Sequence, residues 1–415
     1  MNDVYVIGVS MTQFGRFLDK SVKQLTSEAV TGALNDAGIE KQAVGAAYFA
    51  NTTQGLIEGQ HLVPGEMALR EMGFEGIPMM NVENACASAS SAFHSAYLAV
   101  KAEMAEVSLA VGADKMYAED KLKSFEIFDG AWDVHNVDGT IAGLDALGEG
   151  MEPPPGTIIP NEKRSVFMDV YANFAKFHMK NFGSTQRQFA AVAAKNHQHS
   201  TLNPLSQYQD AYSIDEILGS RLISWPLTLP MCSPISDGAA AAILCSEENL
   251  TTLDDTVRQR AIRIGACELG TGVSRTADEI EKHITHLTAN RAYDRAGIGP
   301  EDISLAEVHD ATAFGEVTQT ENLGFCKFGQ GGRLAEQGET ALGGRIPINP
   351  SGGLESKGHP IGATGLGQIY ELATHLRGEA GRRQVEDASF AIAENGGGIY
   401  GIEESVCCVT ILARQ

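Results

Sequence analysis

Tryptophan is nearly missing from this chain, with two in 415 residues, and aromatic residues make up only 7%. Basic residues are also scarce: 31 Lys and Arg stand against 53 Asp and Glu, a formal net charge of -22. So acidic a surface repels phosphate backbones and anionic headgroups, which sets aside nucleic-acid binding and membrane-surface roles. If the substrate is itself an anion, such as a nucleotide-bearing thioester, a local basic patch must work against that field. No apolar run approaches the roughly 20 residues of a membrane span. The first strand-like stretch, Val4 to Val9, has no basic lead-in of the kind a signal peptide carries, so a cytoplasmic protein is expected. CxxC pairs are absent. The seven cysteines, at 86, 232, 245, 267, 326, 407 and 408, form an odd and scattered set that signals neither a disulfide framework nor a structural zinc site.

What is present is a folded composition, 43% hydrophobic and 20% charged, in a chain long enough for two or three units. The chain repeats itself loosely. Val4 to Val9 reads as a strand, Val22 to Ala37 as an amphipathic helix closed by Gly38-Ile39, and Gly45 to Ala50 as a second strand. Ile262 to Ala266, Leu287 to Ala296 with Gly297-Ile298, and Ile303 to Val308 repeat that order. Carrying the offset between the two Ala-Gly-Ile helix ends forward places His309 opposite Ala50. Each half then offers a small-residue helix, Cys86 to Val100 and Gly358 to Leu376. A strand follows at Val107 to Gly112 and at Ser389 to Ala393, and each half closes on a further strand, Ala239 to Cys245 and Val406 to Leu412. This alternation predicts mostly parallel sheets covered by helices. The expected division is 1-116 with 227-255 as one half, 256-415 as the other, and 117-226 as an inserted loop domain. That insert carries a Pro153 to Gly156 breaker and a helix from Val166 to Phe182.

Chemistry gathers at four places. Asn84 to Ser91 forms a strand-to-helix turn that sets Cys86 at a helix N-terminus, where free amides lower a thiol's pKa. Gly358-His359-Pro360, followed by Ile361 to Gly365, holds a histidine in a Gly- and Pro-framed turn suited to a base. His309-Asp310 ends a strand, where ligands bind in open α/β sheets; the plainer reading is a pair capping the next helix. Glu394 to Gly398 offers backbone amides able to cradle an oxyanion, or forms only a turn.

Together these segments resemble the thiolase superfamily over nearly the whole chain. Cys86 stands where that family carries its acyl-accepting cysteine, and Gly358 to Gly365 matches its GHPxGATG signature. Ser236 to Ala240 resembles the stretch after the family's loop domain. His309-Asp310 is similar to the HDCF box of sterol-carrier-protein-type thiolases, and Gln186 to Pro204, with Lys195-Asn196-His197 and Leu202-Asn203-Pro204, resembles the same branch. The resemblance implies a five-layered α/β/α/β/α thiolase fold and a dimer or larger oligomer. It also implies coenzyme A as substrate, and no metal or redox cofactor. Cys86 is then the nucleophile attacking a 3-oxoacyl-CoA and His359 the base that activates it. His309 with a water forms one oxyanion hole, the Cys86 and Gly396 amides form the second, and Ser233 contacts the pantetheine.

The chain departs from that pattern at one function. Thiolases use a second cysteine as acid/base, in a CxGGG loop or in the HDCF box, and here Glu394 and Ala311 occupy those positions. The enolate still needs a proton, from Glu394, Asp310, His359 or water, and Glu394 is the expected donor because a partly desolvated carboxyl titrates near neutrality. Related chains lacking that cysteine act as retro-aldolases or C-acyltransferases with a small zinc-ribbon and OB-fold partner, and some take bulky aromatic substrates such as benzoylsuccinyl-CoA. Those alternatives stay open, as does a non-catalytic scaffold, although retained Cys86 argues for acyl transfer. Loop-domain aromatics, Trp132, Phe174 and Phe177, are candidates for an acyl tunnel, with core packing the plainer role for most of them.

Overall fold

Nine strands run through one continuous mixed sheet in a computed structural model that describes residues 3-160 and 164-415. In chain order the strands are β1 (Val4–Met11), β2 (Ala46–Ala50), β3 (Met79–Val82), β4 (Val107–Asp114), a small separate hairpin β5 (Leu222–Ser224) and β6 (Leu227–Thr228), then β7 (Gly238–Ser246), β8 (Ile262–Thr271), β9 (Leu305–Glu307), β10 (Phe390–Gly397) and β11 (Val406–Arg414). The order across the sheet is β3-β2-β4-β7-β1-β8-β11-β10-β9. Each half therefore repeats one pattern outward from the middle: its first strand, its closing strand, its fourth strand, then the second. In the second half a bridge from Ala306 to Ile348 stands where β3 stands in the first. The repeat visible in the sequence is thus a repeat of topology. Both predicted helix ends are glycine caps in the left-handed region, Gly38 at φ 63° and Gly297 at φ 72°, where a side chain would add strain.

Within the sheet the halves are joined by two residue pairs, Tyr5 with Arg263 and Val6 with Ile262. Layering follows from period-two alternation. In β7, Ala239, Ala241, Ile243 and Cys245 pack with the helix Val22–Ala37, while Ala240, Ala242 and Leu244 face the opposite way. Those inward residues share a core with Ala92, Phe93 and Ala96 of the helix Ser88–Lys101, with Leu366, Ile369 and Leu372 of the helix Thr364–Leu376, and with Ala391 and Leu412 of the second half. The second half's outer face is covered by Ile284, Ala289 and Ala292 of the helix Ile284–Ala296. The result is helix, sheet, paired central helices, sheet, helix. Strands buried on both faces explain why β4 and β7 read as unbroken runs of small and apolar residues.

The expectation of mostly parallel strands is not met. β7 runs antiparallel to both β1 and β4, and β11 runs antiparallel to β8 and β10; parallel pairing is confined to β2 with β3, β2 with β4, and β9 with β10. The cause is connection length and route. Only eight residues separate β10 from β11, a hairpin connection, and a parallel pair needs a crossover of a dozen or more. Between β4 and β7 the chain builds its own core, in which Phe167, Val170 and Tyr171 of the helix Val166–Phe182 pack with Phe189 and with Phe314 from the second half. Among the described residues no helix is long and apolar enough to cross a membrane.

Candidate active site

Cys86 lies in the turn between β3 and the helix Ser88–Lys101, two residues before the helix begins. The residue ahead of it, Ala85, has φ 48°, a left-handed conformation that costs a residue with a side chain about 1–2 kcal/mol. Asn84 secures the turn: its carbonyl accepts from the Ala87 amide at 3.0 Å, its amide donates to Ser88 Oγ at 2.8 Å, and its side chain donates to Ser91 Oγ at 2.9 Å. Cys86 is thereby presented to a cavity of about 670 Å³, whose lining also includes His359, Ala311 and Ser233.

His359 is fixed at both ends. Its amide donates to Ser236 Oγ at 2.9 Å, and Nδ1 lies 2.7 Å from Thr364 Oγ1. The Thr364 hydroxyl gives its one proton to the Pro360 carbonyl at 3.0 Å, so Nδ1–H is the donor to Thr364 and Nε2 keeps a free lone pair. His309 follows β9, is 2% exposed, and neither ring nitrogen has a hydrogen-bond partner. A buried N–H with nothing to donate to is rare in a folded interior and marks a place for a ligand oxygen. The two imidazole centroids are 5.3 Å apart. Cys86 Sγ and one ring nitrogen from each histidine lie within 4.8 Å of one another. The structure thus brings together the three residues that the sequence singled out from three distant segments.

The electrostatics correct one expectation. Burial first, then the carboxylates of Asp114, Glu83 and Glu404, push the Cys86 thiol up to about 12, against the pull of its own backbone amide. The helix-end effect operates but is outweighed by burial and three acids. Burial, with His309 and Lys357 beside it, holds His359 well below the usual imidazole range, and burial brings His309 down to about 4. The resting state is therefore a neutral thiol facing two neutral imidazoles, and the sulfur becomes nucleophilic only by handing its proton to a base.

The other predicted residues divide. A Cβ at Gly397 would collide with the Asn84 carbonyl and sit 2.7 Å from the Ala87 amide, so only bare backbone lets β10 lie against the turn that carries Cys86. A Cβ at Gly396 would fall 3.3 Å from His309 Nδ1. Glu394 is not among the cavity's lining residues: Oε2 accepts from the His309 amide at 3.0 Å, and Oε1 lies near Thr285 Oγ1 and Cys407 Sγ. Burial, then Glu404, raises it to about 8. Asp310 does act as a cap, though for the short helix Gly353–Lys357 rather than the next one, accepting from the Leu354 amide at 2.7 Å. Asn196, within the Lys195-Asn196-His197 run, ties Asp310 to Glu316 and Glu355 beneath His309. Phe174 and Phe177 line a second, smaller cavity, whereas Trp132 stacks on Phe167. Arg16, Arg164 and Arg221 lie around the main cavity.

Sequence reasoning missed Glu404, which no motif marks; the signal available was the acidic pair Glu403-Glu404 two residues ahead of the apolar run of β11.

Two family models account for most of the chain: "Thiolase, N-terminal domain" matches residues 4–214, and "Thiolase C-terminal domain-like" matches residues 270–412. The chain belongs to the thiolase family. Among this thiolase's relatives, an acetyl-CoA acetyltransferase of Methanothermobacter thermautotrophicus is 37% identical, across 97% of this chain and 98% of the relative. Sterol carrier protein 2 of Bos taurus is 36% identical, across 95% of this chain and 70% of the relative. A benzoylsuccinyl-CoA thiolase subunit of Thauera aromatica is 32% identical, across 92% and 91%. In fold, this thiolase is similar to the Ltp2-ChsH2(DUF35) aldolase, with a TM-score of 0.76 at 24% identity, covering 100% of this chain and 98% of that one. It is also similar to human mitochondrial 3-ketoacyl-CoA thiolase in complex with CoA, with a TM-score of 0.66 at 15% identity, again covering 100% and 98%.

Proposed function

We propose that this thiolase moves the acyl group of a 3-oxoacyl-CoA onto coenzyme A through an acyl-Cys86 intermediate. The observation that carries this reading is the Cys86, His359 and His309 triangle, all within 4.8 Å, with both His309 nitrogens unpartnered. Cys86 attacks the 3-oxo carbonyl as its proton passes to His359 Nε2. The Cα–Cβ bond then breaks, leaving acyl-Cys86 and an enolate whose thioester oxygen accepts from His309. The Cys86 and Gly396 amides hold the oxyanion of the tetrahedral intermediate, and free CoA takes the acyl group from sulfur. Ser233 contacts the pantetheine, and Arg16, Arg164 and Arg221 offer positive charge for the CoA phosphates against the acidic whole.

The substrate class within this reading is a bulky or aromatic 3-oxoacyl-CoA, of the benzoylsuccinyl-CoA kind, supported by the Thauera aromatica relative and by Phe125, Phe128 and Phe167 in the lining of the main cavity. That relative is a subunit by name, which supports a small zinc-ribbon and OB-fold partner here too. The reading also includes a homodimer or larger, a cytoplasmic location, and the division into 1-116 with 227-255, 117-226 and 256-415. A second reading, retro-aldol cleavage with such a partner, is favoured by Ala311 and Glu394 standing where a second cysteine was expected; it leaves Cys86 without work.

Intact-protein mass after exposure to a panel of 3-oxoacyl-CoA esters decides between them. Acyl transfer gives an adduct that free CoA discharges and that Cys86→Ala lacks. Cleavage of a substrate with no adduct, unchanged in Cys86→Ala, establishes the aldolase reading instead.

A further inference from the structure

The missing second cysteine leaves the enolate carbon without a proton donor, and the structure offers a carboxyl that no motif announces. Glu404 lies in the connection between β10 and β11, and its side chain is 7% exposed. It lines the smaller cavity of about 80 Å³, which shares Tyr171 with the main one, and like Glu394 it is not itself among the main cavity's lining residues. One point locates it against the catalytic group: the place of the absent Cβ at Gly396 is 3.3 Å from Glu404 Cδ and 3.3 Å from His309 Nδ1. A glycine at 396 is what lets this carboxyl approach that imidazole. If His309 holds the thioester oxygen, the carbon one bond from the thioester carbonyl is the enolate Cα, and Glu404 approaches the same imidazole from its Nδ1 edge.

We propose that Glu404 is the acid–base group of this site, donating a proton to the enolate Cα in cleavage and removing one from Cα in the reverse condensation. This rests on the acyl-Cys86 reading above. The protons balance. Cys86 gives its proton to His359 and Glu404 gives its proton to Cα, so acyl-Cys86, an imidazolium and a carboxylate remain. The incoming CoA thiol then loses its proton to the Glu404 carboxylate as sulfur attacks the acyl carbon. The Cys86–acyl bond breaks, and His359 returns the first proton to Cys86.

The surroundings suit a group that must both give and take. Burial, reinforced by Glu403 and partly offset by the backbone amide of Glu404 itself and by Arg275, raises Glu404 to about 7. The titratable groups that face it are His283, with Nε2 3.6 Å away, Glu403 and Arg275, which pair with each other, and Glu394, Cys86, Tyr171 and His309. Burial holds His283 at about 3, so it brings no charge at neutral pH. Glu394 differs in having the His309 amide, Thr285 and Cys407 around its oxygens. Its carboxyl braces the histidine from behind, whereas that of Glu404 meets only its own amide and the long contact to His283.

The test uses the full chain with acetoacetyl-CoA for thiolysis and acetyl-CoA in D₂O for exchange of the Cα hydrogens, read by mass. Glu404→Gln lowers both rates by at least about 100-fold, the usual contribution of a positioned general acid–base. It also removes the neutral-pH limb from the exchange profile. Alkylation of Cys86 by iodoacetamide stays as fast as in the unaltered chain or quickens, because a neighbouring negative charge is gone; this shows that the site is folded. Exchange and thiolysis within threefold of the unaltered chain in Glu404→Gln overturn the proposal. Loss of exchange in Glu394→Gln with retention in Glu404→Gln overturns it too and moves the proton to Glu394. Failure of the unaltered chain to form acyl-Cys86 from any ester is a separate result that removes the acyl-transfer reading itself.

Discussion

Thr364 holds His359 through one hydrogen bond, 2.7 Å from Oγ1 to Nδ1, while committing its own proton to the carbonyl of Pro360. This pins the imidazole tautomer without a carboxylate and leaves Nε2 a neutral nitrogen with a free lone pair, as the proposed base requires. Thr364→Val removes the acceptor and leaves Nδ1–H unpartnered in a buried site. A lost hydrogen bond of about 1 kcal/mol or more predicts a kcat roughly five- to tenfold lower with KM little changed, and Thr364→Ser restores most of it. Steady-state kinetics of the three proteins check this.

The thiol itself gives a second prediction. With Cys86 pushed up to about 12 by burial and by Asp114, Glu83 and Glu404, and with His359 held low, no thiolate–imidazolium pair exists at rest. Only the fraction ionised reacts with iodoacetamide, so the alkylation rate climbs about tenfold per pH unit through pH 7 to 9. A plateau reached below pH 8 would show a preformed ion pair and contradict the electrostatics described here.

A third concerns Ala85, whose φ of 48° presents Cys86 to the cavity. Ala85→Gly relieves the left-handed strain but adds freedom to the unfolded chain, so stability changes by less than about 1 kcal/mol and activity is kept. Ala85→Val places a β-branched side chain where such residues are outliers, and stability and acyl-Cys86 formation both fall. Urea denaturation with intact mass on the same samples separates the two effects.

A fourth lies away from the chemistry. Arg383 grips Glu371 with Nε to Oε1 at 2.6 Å and a second bond to Oε2 at 3.0 Å, both residues being buried, and His375 Nε2 adds a third contact at 3.1 Å. Burial alone would raise Glu371; the bonds from His375 and Arg383 overcome it and bring the carboxyl down to about 2. A depressed carboxyl contributes stability that is present above its ordinary value of 4.5 and is lost as pH falls through about 2. Arg383→Met leaves a buried charge unpaired and costs about 3–5 kcal/mol near neutrality. The variant should therefore lose less on acidification than the unaltered chain, as urea midpoints between pH 7 and pH 3 would show.

Much of this was legible from residues alone because it is local. The helix from Val166 to Phe182, the two glycine-capped helix ends, and the strands of each half follow from periodicity and caps that lie within a few residues of one another. Cys86, His309 and His359 were legible by type and by the Gly and Pro around them, and their convergence is what the family resemblance implied. Strand direction was not, because β7 owes its orientation to a long excursion that no local pattern records. The thiol's resting state was not, because burial and the reach of Asp114 from β4 are tertiary facts. Glu404 was invisible for a related reason: its place beside His309 depends on how the β10–β11 connection folds back past Gly396, and only the closed sheet determines that.

The two-pair seam between β1 and β8 joins halves that each hold an incomplete reagent. Cys86 belongs to the first half and His359, its proposed base, to the second, and Asp114 of β4 accepts from the Gly362 amide of the histidine's turn at 2.5 Å across that divide. During synthesis Cys86 emerges more than 250 residues before His359. Until the second half docks, that cysteine has no imidazole to take its proton. Acyl transfer by this route therefore waits for completion of the whole molecule, while the unburied nascent thiol, ionising at about 8.5 rather than about 12, is more open to stray electrophiles than the folded one.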